Sequence, residues 1–336
     1  MRRASAVVAT LLLLFASSRD ALAGPETAMR EFASGQVKKG VRTIGMGGDG
    51  ATTGNYALVY KDAGGAIFDY GLVHFTDTGS QLTFTAVGFT TPHFWDDAAF
   101  YVIALSQHAT DLHVWDLAPT ASKPRSLADG SNQAVFVKFA KPLSDAWSIG
   151  FLGSYELSQA SLLPYDGGAP IRYETFWRPS GGAGLHFHPD DHWQAGIRVI
   201  LNHDMESRAD STGVQRGLLR SYEYRAGVAY SPWKGTLLDV GATGLDRSSA
   251  LDGTSSFKVH PNLGIEQAVV AKTFWLRAGL DETTPTFGAS VRVSPFKLDL
   301  AAFHDLAEAR TGDTFGHDNW SVIATLNFDY ETFLSH

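Results

Sequence analysis

Apolar and polar side chains alternate along most of this chain, in segments of about ten residues. The segment nearest the C-terminus shows the pattern most fully. Trp320, Val322, Ala324, Leu326, Phe328 and Tyr330 fall on one face; Asn319, Ser321, Thr325, Asn327 and Asp329 fall on the other, with Ile323 the only apolar residue among them. A β-strand points successive side chains to opposite faces, so the segment predicts a strand with one greasy and one wet side. The aromatic residue at each end of the greasy side matches a strand crossing a bilayer, with aromatics at both interfaces and polar groups toward a lumen. An edge strand of a soluble sandwich would look similar once, so recurrence has to decide.

The pattern recurs. From Trp147 to Leu157, Trp147, Ile149, Phe151, Tyr155 and Leu157 oppose Ser148, Ser154 and Glu156; from His192 to Asn202, Trp193, Ile197, Val199 and Leu201 oppose Gln194 and Arg198. Arg220–Ser231, Pro285–Ser294 and Ser131–Ala140 repeat it. Connections alternate between short turns (KPLSDA, PDDH, SPWKG, AKT, SPFK) and longer polar stretches at 110–130, 159–170, 204–216, 247–256 and 309–317. Counting back from Tyr330 predicts a transmembrane antiparallel β-barrel of about 14 strands, with the short turns on the periplasmic side. The predicted spans are 66–77, 80–91, 98–108, 131–140, 147–157, 172–188, 192–203, 217–231, 235–246, 257–270, 273–282, 285–294, 297–307 and 318–330. Pro261 cannot donate to a ladder and is expected to start its strand or mark a bulge. Trp147, Trp193 and Trp233 stand beside short turns, and with Trp320 and Tyr330 they form the expected interfacial girdle. Trp275 shares a face with Arg277, which points it inward and leaves Phe274 as the girdle residue.

Composition settles the compartment. Arg2 and Arg3, the apolar run Val7–Phe15 and Ala21-Leu22-Ala23 read as a secretory signal over residues 1–23. No further long apolar segment follows, which excludes a helical membrane protein. With no cysteine, an exported chain is not a disulfide-stapled scaffold. The formal net charge is −8, and losing a leader with three basic residues and one acidic residue takes it to −10, so nucleic acid is an unsuitable partner. Outer-membrane lipid and the barrel-assembly machinery are the expected partners of such a product. The segment 331–336, running on past Tyr330, departs from the usual aromatic ending of such barrels. Either assembly uses an internal signal or the last strand shifts to end at Phe333.

Charged residues of both signs fall on the inward faces: Lys138, Glu156, Arg198, Glu223, Arg225, Asp239, Glu266, Arg277, Arg292 and Asp299. They read as a polar path or a carboxylate-binding arginine cluster, or, the preferred alternative, as salt bridges that fill and stiffen the lumen. His186, His188 and His192 in HFHPDDH invite a metal, but its tip is an ordinary Asp-rich turn, so no metal or cofactor is assigned. No spacing of Ser and His singles out a triad, and no catalytic residue is assigned.

The head of the mature chain, residues 24–65, does not alternate. Residues 24–40 are a polar periplasmic lead-in, and the run from Gly40 to Phe68 is Gly-rich. Gly40, Arg42, Gly45, Met46, Gly47 and Gly48, followed by Tyr60, Ala63 and Gly64, resemble the opening of the FadL/PorV group of outer-membrane transport barrels. The run departs from that group at Asp49 and at Lys61-Asp62. The resemblance implies a 14-stranded barrel over 66–336 whose lumen is closed by an N-terminal hatch, with Arg42, Gly45, Gly47, Gly48, Asp49 and Asn55 as its gate residues. A FadL-like member would pass small hydrophobic or amphipathic molecules; a PorV-like member would handle secreted cargo. The bland alternative is a Gly-rich lead-in with no gating role.

Overall fold

The computed structural model describes residues 46, 55, 57–58, 65–74, 81–95, 97–114, 126–251, 253–271, 273–281, 284–304 and 320–328. Fourteen strands follow in order: β1 (Gly65–His74), β2 (Gln81–Trp95), β3 (Ala98–Val114), β4 (Ser126–Pro142), β5 (Trp147–Pro164), β6 (Ile171–Phe187), β7 (Trp193–Asp210), β8 (Gly213–Tyr230), β9 (Thr236–Ser249), β10 (Thr254–Val270), β11 (Phe274–Asp281), β12 (Thr284–Val293), β13 (Phe296–His304) and β14 (Trp320–Phe328). Each pairs antiparallel with its sequence neighbours, and β1 pairs with β14 from Ala66↔Phe328 to Leu72↔Val322, closing the ring. Closure leaves no unpaired strand edge. All fourteen predicted strands are present.

The alternation acts as predicted, with the sense of a soluble protein inverted. Val87, Phe151, Ile197, Val228, Val240, Phe287 and Leu326 are exposed on the outer face, while Ser148, Glu156, Arg198, Ser221, Asp239, Arg277 and Ser290 are buried on the inner one. A continuous apolar exterior around a polar interior suits hydrocarbon outside. Trp147 stacks on Phe187 with ring centroids 4.4 Å apart, Trp193 on Tyr230 at 4.5 Å, and Trp233 is exposed in the β8–β9 turn. These aromatics mark one rim. Trp275 is half-buried and two residues from buried Arg277, on the inner face as expected.

Two expectations need correction. The stretches 159–170, 204–216 and 247–256 are largely strand rather than loop: β5 runs on to Pro164, and only Ser211 and Thr212 join β7 to β8. Beyond the bilayer both faces of a strand meet water, so the alternation fades while the hydrogen-bonded ladder continues. Strands β3–β8 reach 17 or 18 residues whereas β11–β14 have 8 to 10, so the described wall is taller on one side. Pro261 neither starts its strand nor bulges it; it pairs with Ala242 in mid-β10, and the irregularity falls at Ala268/Val270. Among the described residues the pairing of β10 with β11 begins at Asn262, one residue past Pro261.

The β6–β7 turn is tied by Asp190, whose Oδ1 accepts the backbone N–H groups of His192 and Trp193, both at 2.8 Å. These bonds, first that from Trp193 and then that from His192, hold its carboxyl below the ordinary carboxylate range. A depressed folded-state value means the contribution is present above the unfolded value near 3.8 and is lost as pH falls through the folded one. In detergent, Asp190→Ala should unfold more readily than the native chain at neutral pH, and the two should converge only below about pH 4. At mid-height of the lipid face, Ile197→Arg should destabilise by about 2–4 kcal/mol in urea titrations of the vesicle-inserted barrel.

Candidate functional site

The lumen has two unlike walls. On the inner faces of β2–β5, Ala86, Ile103, Leu105, Ala134, Phe136 and Leu152 are buried. Register places Ile103 opposite Phe136, and Leu105 between Ala86 and Ala134. Polar layers bracket this strip. Above it, Asn132 Nδ2 donates to Gln107 Oε1 at 3.2 Å and Ser158 Oγ donates to Asn132 Oδ1 at 3.0 Å, all three side chains being buried. Below it, Lys138 Nζ lies 4.5 Å from the ring centroid of Tyr101, its cross-strand neighbour. The strip escaped the sequence reading because β3 and β4 carry apolar residues on both faces, as in FYVIAL and AVFVKFA. Such loss of alternation, inside a chain that otherwise alternates, was the available signal. Ile323, the lone apolar residue on the polar side of β14, is fully buried and pairs with buried Ala301.

The wall from β7 to β14 is charged and largely self-neutralising. Arg277 Nε bonds Glu266 Oε2 at 2.5 Å, and its Nη1 reaches Asp299 Oδ1 at 3.4 Å. Asp299 also takes Lys297 Nζ at 2.7 Å, Asn327 Nδ2 at 3.4 Å and the Ser290 hydroxyl. Farther round, Glu223 lies 2.5 Å from Arg225 and 3.6 Å from Arg198. Removing one partner of such buried pairs would strand a charge, at about 3–5 kcal/mol. Six predicted inner-face residues, Arg198, Glu223, Arg225, Glu266, Arg277 and Asp299, therefore sit in ion pairs. Glu156 and Asp239 are buried on the inner face. Arg292 shares that side of β12 but is exposed at the short-turn rim.

Two residues of the N-terminal segment touch the inner wall. Met46 is buried with its backbone carbonyl against the inner face of Gly264 on β10, where a Cβ would collide with it. Asn55 is buried against Gly184 on β6; its Nδ2 donates to the Leu185 carbonyl at 3.1 Å and its Oδ1 accepts the Ala57 N–H at 3.1 Å. The Leu58 N–H closes a turn onto the Asn55 carbonyl at 3.1 Å. Both glycines serve as notches that admit another backbone or a short amide. Arg42, Gly45, Gly47, Gly48 and Asp49 lie outside the described residues, as do the leader and Tyr330. Trp320 begins β14.

His186 is buried, with Nε2 3.3 Å from Gln194 Oε1 and its ring centroid 5.2 Å from that of His188. Among the described residues no group of three or more His, Cys, Asp or Glu side chains is placed to hold a metal.

The same fold occurs in outer-membrane channels of known structure. The Ralstonia pickettii toluene transporter TbuX matches with a TM-score of 0.53 and 11% identity, over 85% of this chain and 97% of that one. The monoaromatic hydrocarbon channel CymD matches with a TM-score of 0.54 and 12% identity, over 87% and 96%. A Pseudomonas aeruginosa FadL homologue matches with a TM-score of 0.52 and 12% identity, over 88% and 97%. No protein-family model and no curated protein matches the chain. At this identity the likeness is one of fold: the chain is an all-β, antiparallel transmembrane barrel built like the FadL-type channels.

The glycine notches carry a prediction. The chain has no cysteine, so Ala57→Cys at a fully buried position is a unique reporter. Gly184→Ala and Gly264→Ala should each dislodge the segment and speed labelling of that thiol by a water-soluble maleimide at least about tenfold, in line with the kilocalorie-scale strain of overpacking. Unchanged labelling would mean the contacts are incidental.

Proposed function

We propose that the chain is an outer-membrane channel for small hydrophobic or amphipathic molecules, with a lumen closed by the N-terminal hatch over residues 24–65. The observation that carries this reading is the apolar strip inside the barrel, from Ile103 and Leu105 to Phe136 and Leu152, in a lumen whose alternate positions are otherwise mostly polar. A water-filled pore for ions or sugars gains nothing from burying such side chains on its inner wall. A hydrocarbon gains about 25 cal/mol for each Å² it withdraws from water there. The charged wall supports the same reading, because paired side chains leave little field to draw a hydrated ion. Lys138 over Tyr101 would meet the polar end of an amphipathic solute. The hatch is supported by the contacts of Met46 and Asn55 with the inner wall. The toluene and monoaromatic hydrocarbon named for the similar channels fall in the same solute class. On this reading the protein is a conduit rather than a catalyst, and its leader delivers it to the outer membrane.

Proteoliposomes and a solute panel of aromatics, fatty acids and sugars test the proposal. Deleting residues 42–65 should raise permeability. Phe136→Asp should lower flux of the apolar solutes about tenfold, the scale of one apolar side chain lost from a site, and leave sugars unaffected. Sugar flux equal to that of toluene would overturn the reading, and an unchanged flux in the deletion would remove the gate. Capture of a secreted partner without any solute uptake would favour cargo handling instead.

A further inference from the structure

The lumen uses its arginines in pairs, whereas the outside of the tall wall carries three that have no partner. Arg172 on β6 and Arg216 and Arg220 on β8 are exposed, and among the described residues none has an ion pair or side-chain hydrogen bond. Register places all three on the outer surface. Arg220 and Arg216 alternate with inward Ser221 in the series that continues to exposed Tyr224 and Val228. Arg172 pairs with Ala209, which pairs in turn with exposed Val214. The β6 bulge near Trp177 shifts the phase of that strand and brings Arg172 to the outside.

Height decides what these groups meet. The periplasmic rim is marked by Trp193 and Tyr230. Ten residues of a strand tilted by about 40° rise about 25 Å, the thickness of the apolar band. On β8 that count ends at Arg220 and on β7 at His203, its cross-strand partner. His203 Nε2 is 3.2 Å from the Tyr222 hydroxyl, an aromatic pair suited to the upper interface. Arg220 therefore stands at the headgroup level of the outer leaflet. Arg216 and Arg172 stand higher, with exposed Met205 and half-buried Leu218 between the two arginines of β8. Arg216 and Arg220 are about 13 Å apart along the strand. Asp246 on β9 is a described carboxylate on this outer surface, and Glu174 pairs in register with Ser207 two residues along from Arg172.

From this placement, and resting on the outer-membrane reading above, we propose that the outer wall of β6–β8 docks a phosphorylated glycolipid of the outer leaflet. Arg220 would take one phosphate at the interface, and Arg216 with Arg172 a second above it. Guanidinium forks match phosphate oxygens bidentately, and an exposed arginine with no protein partner is free to do so. A spacing of this order suits phosphates at opposite ends of a disaccharide, and Met205 and Leu218 offer the sugar face and acyl chains an apolar seat. A merely solubilising rim would need no such placement and would not distinguish phosphorylated from dephosphorylated lipid.

The test uses the full chain folded into phosphatidylcholine vesicles, native and as R172Q/R216Q/R220Q, with Lys234→Gln at the opposite rim as control. All three should insert and show the same heat-resistant folded form. Bisphosphorylated lipid A, titrated into detergent-solubilised protein, should bind the native chain and the Lys234 variant alike. It should bind the triple variant about a hundredfold more weakly, a factor of about five for each charge beside an anionic group. Dephosphorylated lipid A should bind the native chain as weakly as the triple variant binds the intact lipid. Equal binding of both lipids by the native chain, or of intact lipid by both proteins, would overturn the proposal while leaving the barrel standing. Failure of the native chain to insert would overturn the membrane reading and this proposal with it.

Discussion

Hydrocarbon offers no hydrogen bonds, and this one fact governs the molecule. Every backbone N–H and C=O at membrane depth must find a partner within the protein, and for strands the only complete solution is a closed ring. The pairing of Ala66–Leu72 with Val322–Phe328 is therefore the bond on which the other thirteen pairings depend. Once the ring is closed, the period of two in side-chain direction does the rest. One set of residues must tolerate lipid and the other must fill a lumen, and a slip of one residue would exchange them along a whole strand. The apolar stripe Trp193, Ile197 and Leu201 and the inward Gln194 and Arg198 are thus one constraint seen from both sides.

The lumen poses the opposite problem. It is narrow, crowded and partly dry, so charges placed there are costly unless neutralised. The cluster of Glu266, Arg277, Asp299 and Lys297 sums to zero and closes on itself through Ser290 and Asn327. The cluster of Arg198, Glu223 and Arg225 joins two guanidinium groups to one carboxylate, and Asp239 and Glu156 are buried elsewhere on the same inner face. Pairing stiffens the wall and at the same time removes the field that would attract ions.

Where the chain obeyed a single rule, that rule was legible. Strands β12 and β14 could be placed to within two residues, and the short-turn ends of β5, β7 and β8 to within one, because there each has lipid on one side and a polar lumen on the other. Legibility failed where one of those conditions lapsed. On β3 and β4 the lumen side is itself apolar at Ile103, Leu105 and Phe136, so the alternation disappears and the solute-facing strip with it. On the upper parts of β5–β8 the outside is water, so polar residues occupy both faces and a strand resembles a loop. Pro261 misled because the irregularity of β10 falls at Ala268/Val270, in its pairing with β11, which no local pattern reveals. The seats of Met46 and Asn55 depend on Gly264 and Gly184, glycines more than a hundred residues away in sequence that read locally as ordinary strand positions.

Those seats also bear on how the N-terminal segment is held against the inner wall. A segment bonded into the wall like another strand would gain a ladder of hydrogen bonds and leave only at the expense of all of them. Here the described contacts are of another kind: a carbonyl lodged in one glycine notch, and an amide in another making a single bond to Leu185. Each net hydrogen bond contributes about 1 kcal/mol, and shape complementarity at a glycine adds contact without adding polarity. Contacts of that size hold a segment against thermal motion only if several act together, and they yield one at a time. The Gly184 notch on β6 borders the apolar strip of β2–β5, whereas the Gly264 notch on β10 lies farther round the ring.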